Sequence, residues 1–284
     1  MSELPPPSIL TVRGLSRRFG GLQAVSGLNL DLPRGQLLAL IGPNGAGKST
    51  TVNLLAGVLQ PSEGTVALGG TDLTGQDSHS VARAGLVRTF QNGRLFRRLP
   101  VIENVLVGAD ARYRCGFWAS VLKSPAFRAE EKAMRDKAFA LLEGLGLAGD
   151  AQREVRELPY GKQRKIEIAR ALILEPQVLM LDEPAAGLNS GEVEELIAYV
   201  SRLRAQGLSI LLIEHNMGLV MRLADRIAVL NFGQLIADGP PEQVRADEAV
   251  IEAYLGRRKD TPGAHGKPSG PGAPATAKAG DAAH

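Results

Sequence analysis

The nine residues GPNGAGKST, Gly42 to Thr50, have the types and spacing that hold a polyphosphate. Gly42, Gly45 and Gly47 let the backbone curl so that successive N–H groups turn inward, Lys48 adds a point charge, and the Ser49 hydroxyl suits Mg²⁺. Asn44, Ala46 and Thr50 complete the loop. An apolar run, LLALI, precedes it and KSTTVNLLAG opens a helix after it, so a chance glycine-rich turn is a poor account of the motif.

A second apolar run, VLMLDEP, ends on two carboxylates. Asp182 is suited to hold Mg²⁺ through water, and Glu183 to accept a proton from an attacking water or to polarise it. Taken alone, two acids after a strand more often belong to the cap of the next helix; a phosphate loop in the same chain reverses that reading. LLIEHN places His215 just past a third apolar run, where a lone histidine is usually structural, yet here it arrives at the same sheet edge and points to a contact with the γ-phosphate or the water. Gln91, in RTFQNGRLF, can bring a neutral amide near metal and water, although a glutamine alone proves nothing.

The stretch LPYGKQRKIEIARAL, Leu158 to Leu172, poses a different question. It crowds Lys162, Arg164 and Lys165 into the first turn of an expected helix, where the helix dipole disfavours positive charge. Either these cations are solvated or the helix start faces an anion.

The elements that must position these groups are legible as a pattern. The runs LLALI, VLML, SILLI and RIAVL alternate with segments of helical spacing such as SGEVEELIAYVSRLRAQG, which predicts a mostly parallel sheet covered on both faces. The fold class is α/β. ILTVRGLSRRFG, SGLNLDLPRG and GTVALGGTDL are brief, partly alternating runs with Gly and Pro turns, and predict an antiparallel β region beside the core. Residues from about 95 to 175 read as a largely helical subdomain inside one unit spanning 1–256. Residues 257–284 are rich in Gly, Ala and Pro, lack large apolar side chains, and are expected to be disordered.

Composition sets outer limits. With 284 residues and 44% hydrophobic side chains, the chain can bury a sizeable core. A formal charge of +3 is too small an excess to argue for nucleic acid. One cysteine, Cys115, excludes an internal disulfide or a cysteine-built zinc cluster. MSELPPPS has no secretory pattern, and no apolar run approaches the roughly 20 residues needed to span a bilayer, so any membrane role is expected to be peripheral.

With these motifs in this order, residues 8 to 256 resemble the ATP-binding subunit of an ATP-binding-cassette transporter, a P-loop NTPase cassette. The resemblance implies that GPNGAGKST is the Walker A loop, Gln91 the Q-loop, LPYGKQ the signature, VLMLDE the Walker B strand, AGLN (Ala186 to Asn189) the D-loop and His215 the switch histidine. It makes Phe19 the aromatic that stacks on adenine, with plain core packing as the alternative. ATP and Mg²⁺ are the implied cofactors. Each ATP in the family lies between the Walker loop of one subunit and the signature of another, which would bring Pro159, Tyr160, Gly161 and Lys162 to a nucleotide held mainly by the partner.

The strings RTFQNGRLFRRLPVIENVLVGA and LLIEHNMGLVMRLADRIAVLNFGQLIADGPPEQV are similar to the larger ATPase subunit of the branched-chain amino acid uptake subfamily. That implies a second ATP-binding subunit (a sibling or a self copy), two membrane permeases, an extracytoplasmic solute-binding protein, no nucleic acid, and a place on the cytoplasmic face of the inner membrane. The segment NGRLFRRLPVIENV is where such proteins meet the permease; the alternative is a solvated basic loop. Two departures stand out. Pro159 takes the place of the usual signature serine, removing a hydroxyl and an N–H, so Lys162 or Arg164 is expected to offset the loss. Asn189 stands where the D-loop usually has Asp. Competing readings are a soluble regulatory or nucleic-acid-associated cassette ATPase, which usually carries two cassettes or a coiled-coil insertion, and a P-loop kinase or GTPase, which lacks a signature and a switch histidine.

Overall fold

The computed structural model describes residues 7–89, 95–109 and 125–255. Gln91, Cys115 and the tail therefore lie outside the described residues.

A six-stranded sheet organises the molecule, in the order β10-β9-β3-β8-β7-β6. Its strands are β3 (Leu37–Ile41), β6 (Leu86–Arg88), β7 (Val178–Asp182), β8 (Ser209–Ile213), β9 (Arg226–Asn231) and β10 (Gln234–Gly239). β9–β3–β8–β7–β6 pair in parallel, and only β10 runs antiparallel, on β9. The unbroken apolar composition of β3, β7 and β8 follows from burial on both faces: all five residues of each are buried. Side chains alternate between two cores, as a period of two requires. Val178, Met180, Leu211 and Ile213 face one cluster, while Leu179, Leu181, Ile210 and Leu212 face the other.

The first cluster is closed by a four-stranded antiparallel sheet, in the order β2-β1-β4-β5, with β1 (Ser8–Phe19), β2 (Leu22–Pro33), β4 (Glu63–Leu68) and β5 (Thr71–Asp72). Helix α1 (Lys48–Leu55) is packed into the same cluster through Val52, Leu54 and Leu55. The expected brief N-terminal runs are in fact two 12-residue strands. Register shifts at several points along their pairing bend the ladder, and Gly14 and Gly27 with left-handed φ sit at these irregularities.

Helices cover the opposite face. α2 (Ser78–Ala84) leads into β6 and sets Val81 in the first cluster; on the opposite face α3 (Val101–Val107), α4 (Pro125–Gly144) and α5 (Tyr160–Leu172) lie in the stretch read as helical, with short 3₁₀ turns at Ala148–Asp150 and Val155–Glu157 between α4 and α5. α6 (Ser190–Ala205) and α7 (Met217–Leu223) complete that layer, while α8 (Pro241–Ala246) and α9 (Glu248–Leu255) follow β10. α3, α4, α5 and α6 share a core with β7 and β8 through Val105, Leu142, Ile166, Val200 and Leu179. No helix among the described residues is long and apolar enough to cross a membrane.

Candidate functional site

Strand order decides which side chains meet. β3, β8 and β7 are neighbours, with β6 beyond them, so four chain segments leave the sheet side by side at its carboxyl edge. They deliver the loop Gly42–Thr50, the pair Glu214–His215, the pair Asp182–Glu183, and Arg88–Thr89. A sheet with these strands in another order would have scattered the same motifs.

The phosphate loop is held from behind. A Cβ on Gly42 would run into the backbone carbonyl of Leu230 on β9, so only glycine fits there. Gly47, the N-cap of α1, is left-handed at φ 102° and lies against the Ala24 carbonyl of β2 and against Gly233 in the β9–β10 turn. Gly45 differs from both: it is exposed, and a Cβ there would meet nothing within 4 Å. Its left-handed φ of 79° is what calls for glycine, so at Gly45 the sequence expectation of a curling backbone holds, but the reason is conformation and not close packing. The Gly233 N–H also donates to the Ala46 carbonyl, at 2.9 Å. α1 has no side-chain cap and no acid in its first turn, which leaves its positive end for an anion. Lys48 Nζ donates to the carbonyls of Gly42 (2.6 Å) and Pro43 (3.0 Å). Burial pushes the Lys48 ammonium below the ordinary lysine value, and the Glu183 carboxylate acts in the opposite sense. Ser49 and Asn44 are exposed, Thr50 is half-buried, and Ala46 is buried beneath the loop.

Glu183 has φ 47°, a left-handed conformation in which a non-glycine residue is strained, and its N–H is tied to the Ile213 carbonyl of β8 at 2.9 Å. His215 Nδ1 lies 3.8 Å from Glu183 Oε1. Asp182 is buried, and its Oδ2 accepts from Arg88 at 2.6 Å. Thr89 Oγ1 donates to the Met180 carbonyl and accepts from the Asp182 N–H, so β6 grips the end of β7.

Ser49 and Asp182 are hard oxygen donors, which suits Mg²⁺ held by one or two protein oxygens together with phosphates. Among the described residues no cluster of three or more His, Cys, Asp or Glu could hold a metal alone. The donor set therefore fits a metal that arrives with nucleotide.

Phe19 ends β1 and pairs with Leu22, two residues from the Ala24 that abuts Gly47. Its ring is 43% exposed and the Arg17 guanidinium covers one face at 4.7 Å. A half-open ring beside the phosphate loop is compatible with base stacking and is not core packing.

The crowded cations of Leu158–Leu172, Lys162, Arg164 and Lys165, are paired within the chain. Pro159 is the N-cap of α5, with no side-chain cap. Lys162 Nζ donates to Asp150 Oδ2 at 2.5 Å, and with Arg153 it holds that carboxyl below the usual aspartate range. Lys165 pairs with Glu195. Arg164 does not face outward as expected: it points inward, 5% exposed, donating to Glu167 Oε2 and to the Glu183 carbonyl at 3.0 Å, so it is not placed to offset a hydroxyl lost at Pro159. The anions these cations face are carboxylates of their own chain. The Lys162 N–H donates to the Pro159 carbonyl, which leaves the Tyr160 and Gly161 amides at the helix start. Tyr160 is about half exposed and lies over Gly187, while a Cβ on Gly161 would strike the Glu192 side chain. Asn189 has a local role: its side chain accepts from the Glu192 N–H and Glu192 returns the bond, forming the capping box of α6.

Against known proteins, residues 25–186 match the family model described as ABC transporter, more than half of the chain. The chain belongs to the ABC transporter family. Residues 234–260 of this cassette also match the model described as branched-chain amino acid ATP-binding cassette transporter. The high-affinity branched-chain amino acid transport ATP-binding protein BraF of Pseudomonas aeruginosa is 47% identical over 249 residues, covering 87% of this chain and 98% of its own length. LivG of Escherichia coli K12, with the same description, is 48% identical over the same coverage. Among solved structures, the ADP conformation of an ATP-binding cassette of an ABC transporter aligns at a TM-score of 0.77 and 32% identity, covering 88% of this chain and 100% of that one. The fold class and the ATPase activity read from the sequence are thereby borne out.

Two cassette residues escaped the sequence reading. Glu214 is buried at the end of β8; one oxygen accepts from the Ala185 N–H (2.9 Å) and the other from the His215 N–H (3.1 Å), so it ties the histidine turn to the turn after Glu183. Arg88 holds Asp182. Each stands inside a motif string, Glu214 in LLIEHN and Arg88 at the head of RTFQNGRLF, but only three-dimensional proximity reveals the partners.

Proposed function

We propose that this chain is the ATP-hydrolysing subunit of an importer for branched-chain amino acids or a related small polar solute, working on the cytoplasmic face of the membrane with two permease subunits, a second ATP-binding subunit and an extracytoplasmic binding protein. The observation that carries the import reading is the 47–48% identity, over nearly the whole of their length, to proteins named for that transport. The groove of about 760 Å³ lined by Val58, Phe96, Val107, Arg170 and Leu174 supports a docking place for a permease segment, because Phe96 and other apolar residues of it lie in or beside NGRLFRRLPVIENV, the stretch that the family resemblance implies for that contact.

In this reading Lys48 and the uncapped start of α1 bind the ATP phosphates, with the backbone of Gly45 and Gly47 curled around them, and Phe19 stacks on adenine. Ser49 and, through water, Asp182 would hold Mg²⁺, with the Gln91 amide turned to the same site, and the metal would neutralise charge on the phosphates. A water oxygen attacks the γ-phosphorus, the bond to the β-bridging oxygen breaks, and ADP leaves; Glu183 takes the water's proton while His215 holds the water and γ-phosphate in line. The Tyr160 and Gly161 amides of a second subunit's α5 close on the γ-phosphate, and Lys162 joins them only by leaving Asp150. Closure with ATP and release after hydrolysis shift the permeases between access states.

The test is uptake of radiolabelled leucine in cells that lack their own importer and express this chain with its permeases and binding protein. Wild type should accumulate label, and Glu183→Gln should bind ATP but lose roughly 10²- to 10⁴-fold in hydrolysis and abolish uptake. Hydrolysis at full rate by a chain that never co-purifies with permeases would sink the importer reading.

A further inference from the structure

Arg88 heads the RTFQ string and has no role of its own in the sequence reading, yet its guanidinium joins two elements of the ATP site. It ends β6 with its side chain 11% exposed, and its fork makes two short bonds. One nitrogen donates to Asp182 Oδ2 at 2.6 Å, the other to Asn53 Oδ1 at 2.6 Å. Asn53 lies on α1 one turn beyond Ser49, so a single side chain bolts the carboxylate-bearing strand to the phosphate-loop helix. These two elements carry Ser49 and Asp182, the residues read as holding the metal. Arg88 also lines the wall of the 760 Å³ groove, while its partner Asp182 belongs to the site behind it.

A carboxylate with one oxygen fixed by a charged hydrogen bond has its second oxygen aimed and its rotamer chosen before metal arrives. Lysine carries the charge but not the fork, and an uncharged side chain carries neither. We propose that Arg88 is a positioning residue that holds Asp182 in register with Ser49 and so sets how strongly Mg²⁺ tightens nucleotide binding. This rests on the reading that Ser49 holds the metal directly and Asp182 holds it through water.

The experiment measures the affinity of the purified chain for a fluorescent, non-hydrolysable ATP analogue, in EDTA and in saturating Mg²⁺. For Arg88→Gln, affinity in EDTA should stay within about twofold of wild type, while the Mg²⁺-dependent gain should fall by roughly tenfold or more, the range seen when a residue that orients a metal ligand is removed. Arg88→Lys should lie between the two. An unchanged Mg²⁺ gain in Arg88→Gln overturns the proposal. So does an equal loss in EDTA and in Mg²⁺, since that is what a merely structural role predicts. If wild type itself shows no Mg²⁺ gain, the metal-ligand reading of Ser49 and Asp182 fails instead, which keeps the two failures apart.

Discussion

α1 and α5 both begin without a side-chain cap and without an acid in the first turn, yet they are built for opposite relations to charge. At α1 the loop behind the helix start is pressed against backbone: Gly42 on Leu230, Gly47 on Ala24. Backbone does not yield, so the loop keeps its shape, and Lys48 Nζ rests on the Gly42 and Pro43 carbonyls while the Glu183 carboxylate acts on it. At α5 three cations crowd the start, but Lys162, Arg164 and Lys165 each meet a carboxylate of the same chain. The first site is preorganised to accept an anion. The second has its charge already balanced, and its walls are side chains that can move. A cluster of cations at a helix start is therefore a weaker sign of a phosphate site than glycines wedged against backbone.

That contrast can be broken at four points. Gly42→Ala should have the largest effect, because its Cβ meets the Leu230 carbonyl; overpacking of this kind costs ~1–3 kcal/mol and displaces the loop, so nucleotide binding should vanish in calorimetry while the sheet persists by circular dichroism. Lys48→Met should come next, losing a charged hydrogen bond worth ~1.5–3 kcal/mol, seen as a roughly ten- to hundredfold weaker Kd for ATP. Gly161→Ala should be milder in binding, since the collision is with the Glu192 side chain; we expect a lower Tm and weaker ATP-driven dimerisation, with nucleotide affinity of the monomer unchanged. If Gly161→Ala weakened monomer binding as much as Gly42→Ala, the distinction between rigid and yielding walls would fall.

Lys162→Gln should be smallest. Its partner pair is partly exposed, and such pairs contribute ~0–1 kcal/mol. The sign with pH follows from Asp150, whose pKa is depressed by Lys162 first and then by Arg153. A depressed carboxyl stabilises above its unfolded value, near 3.9, and that stability is lost as pH falls through the folded value. Wild type should thus be slightly more stable than Lys162→Gln in urea titrations at pH 7, and the two curves should merge in acid. A large drop in ATP-driven dimerisation for Lys162→Gln would show instead that this ammonium leaves Asp150 for the nucleotide.

The sequence by itself determined the local chemistry. GPNGAGKST after LLALI, VLMLDE and LLIEHN specify a phosphate loop, two carboxylates and a histidine at strand ends, because turn glycines and runs buried on both faces leave few other conformations. It also separated the parallel core from the antiparallel region, through unbroken against alternating apolar runs. What only the tertiary structure decided was pairing. Three glycines in one loop look alike in the sequence, but only folding put Gly42 and Gly47 against backbone and left Gly45 open. Strand order set Glu183 within 3.8 Å of His215 and put Arg88 on Asp182, residues 94 positions apart. Burial turned Arg164 inward to the Glu183 carbonyl, and Asp150, Glu167 and Glu195 absorbed the cations that the sequence offered to an anion. Charge reads out along a chain residue by residue, but which opposite charge neutralises it depends on distances that only the folded chain fixes, and at a few ångströms those distances decide the energy.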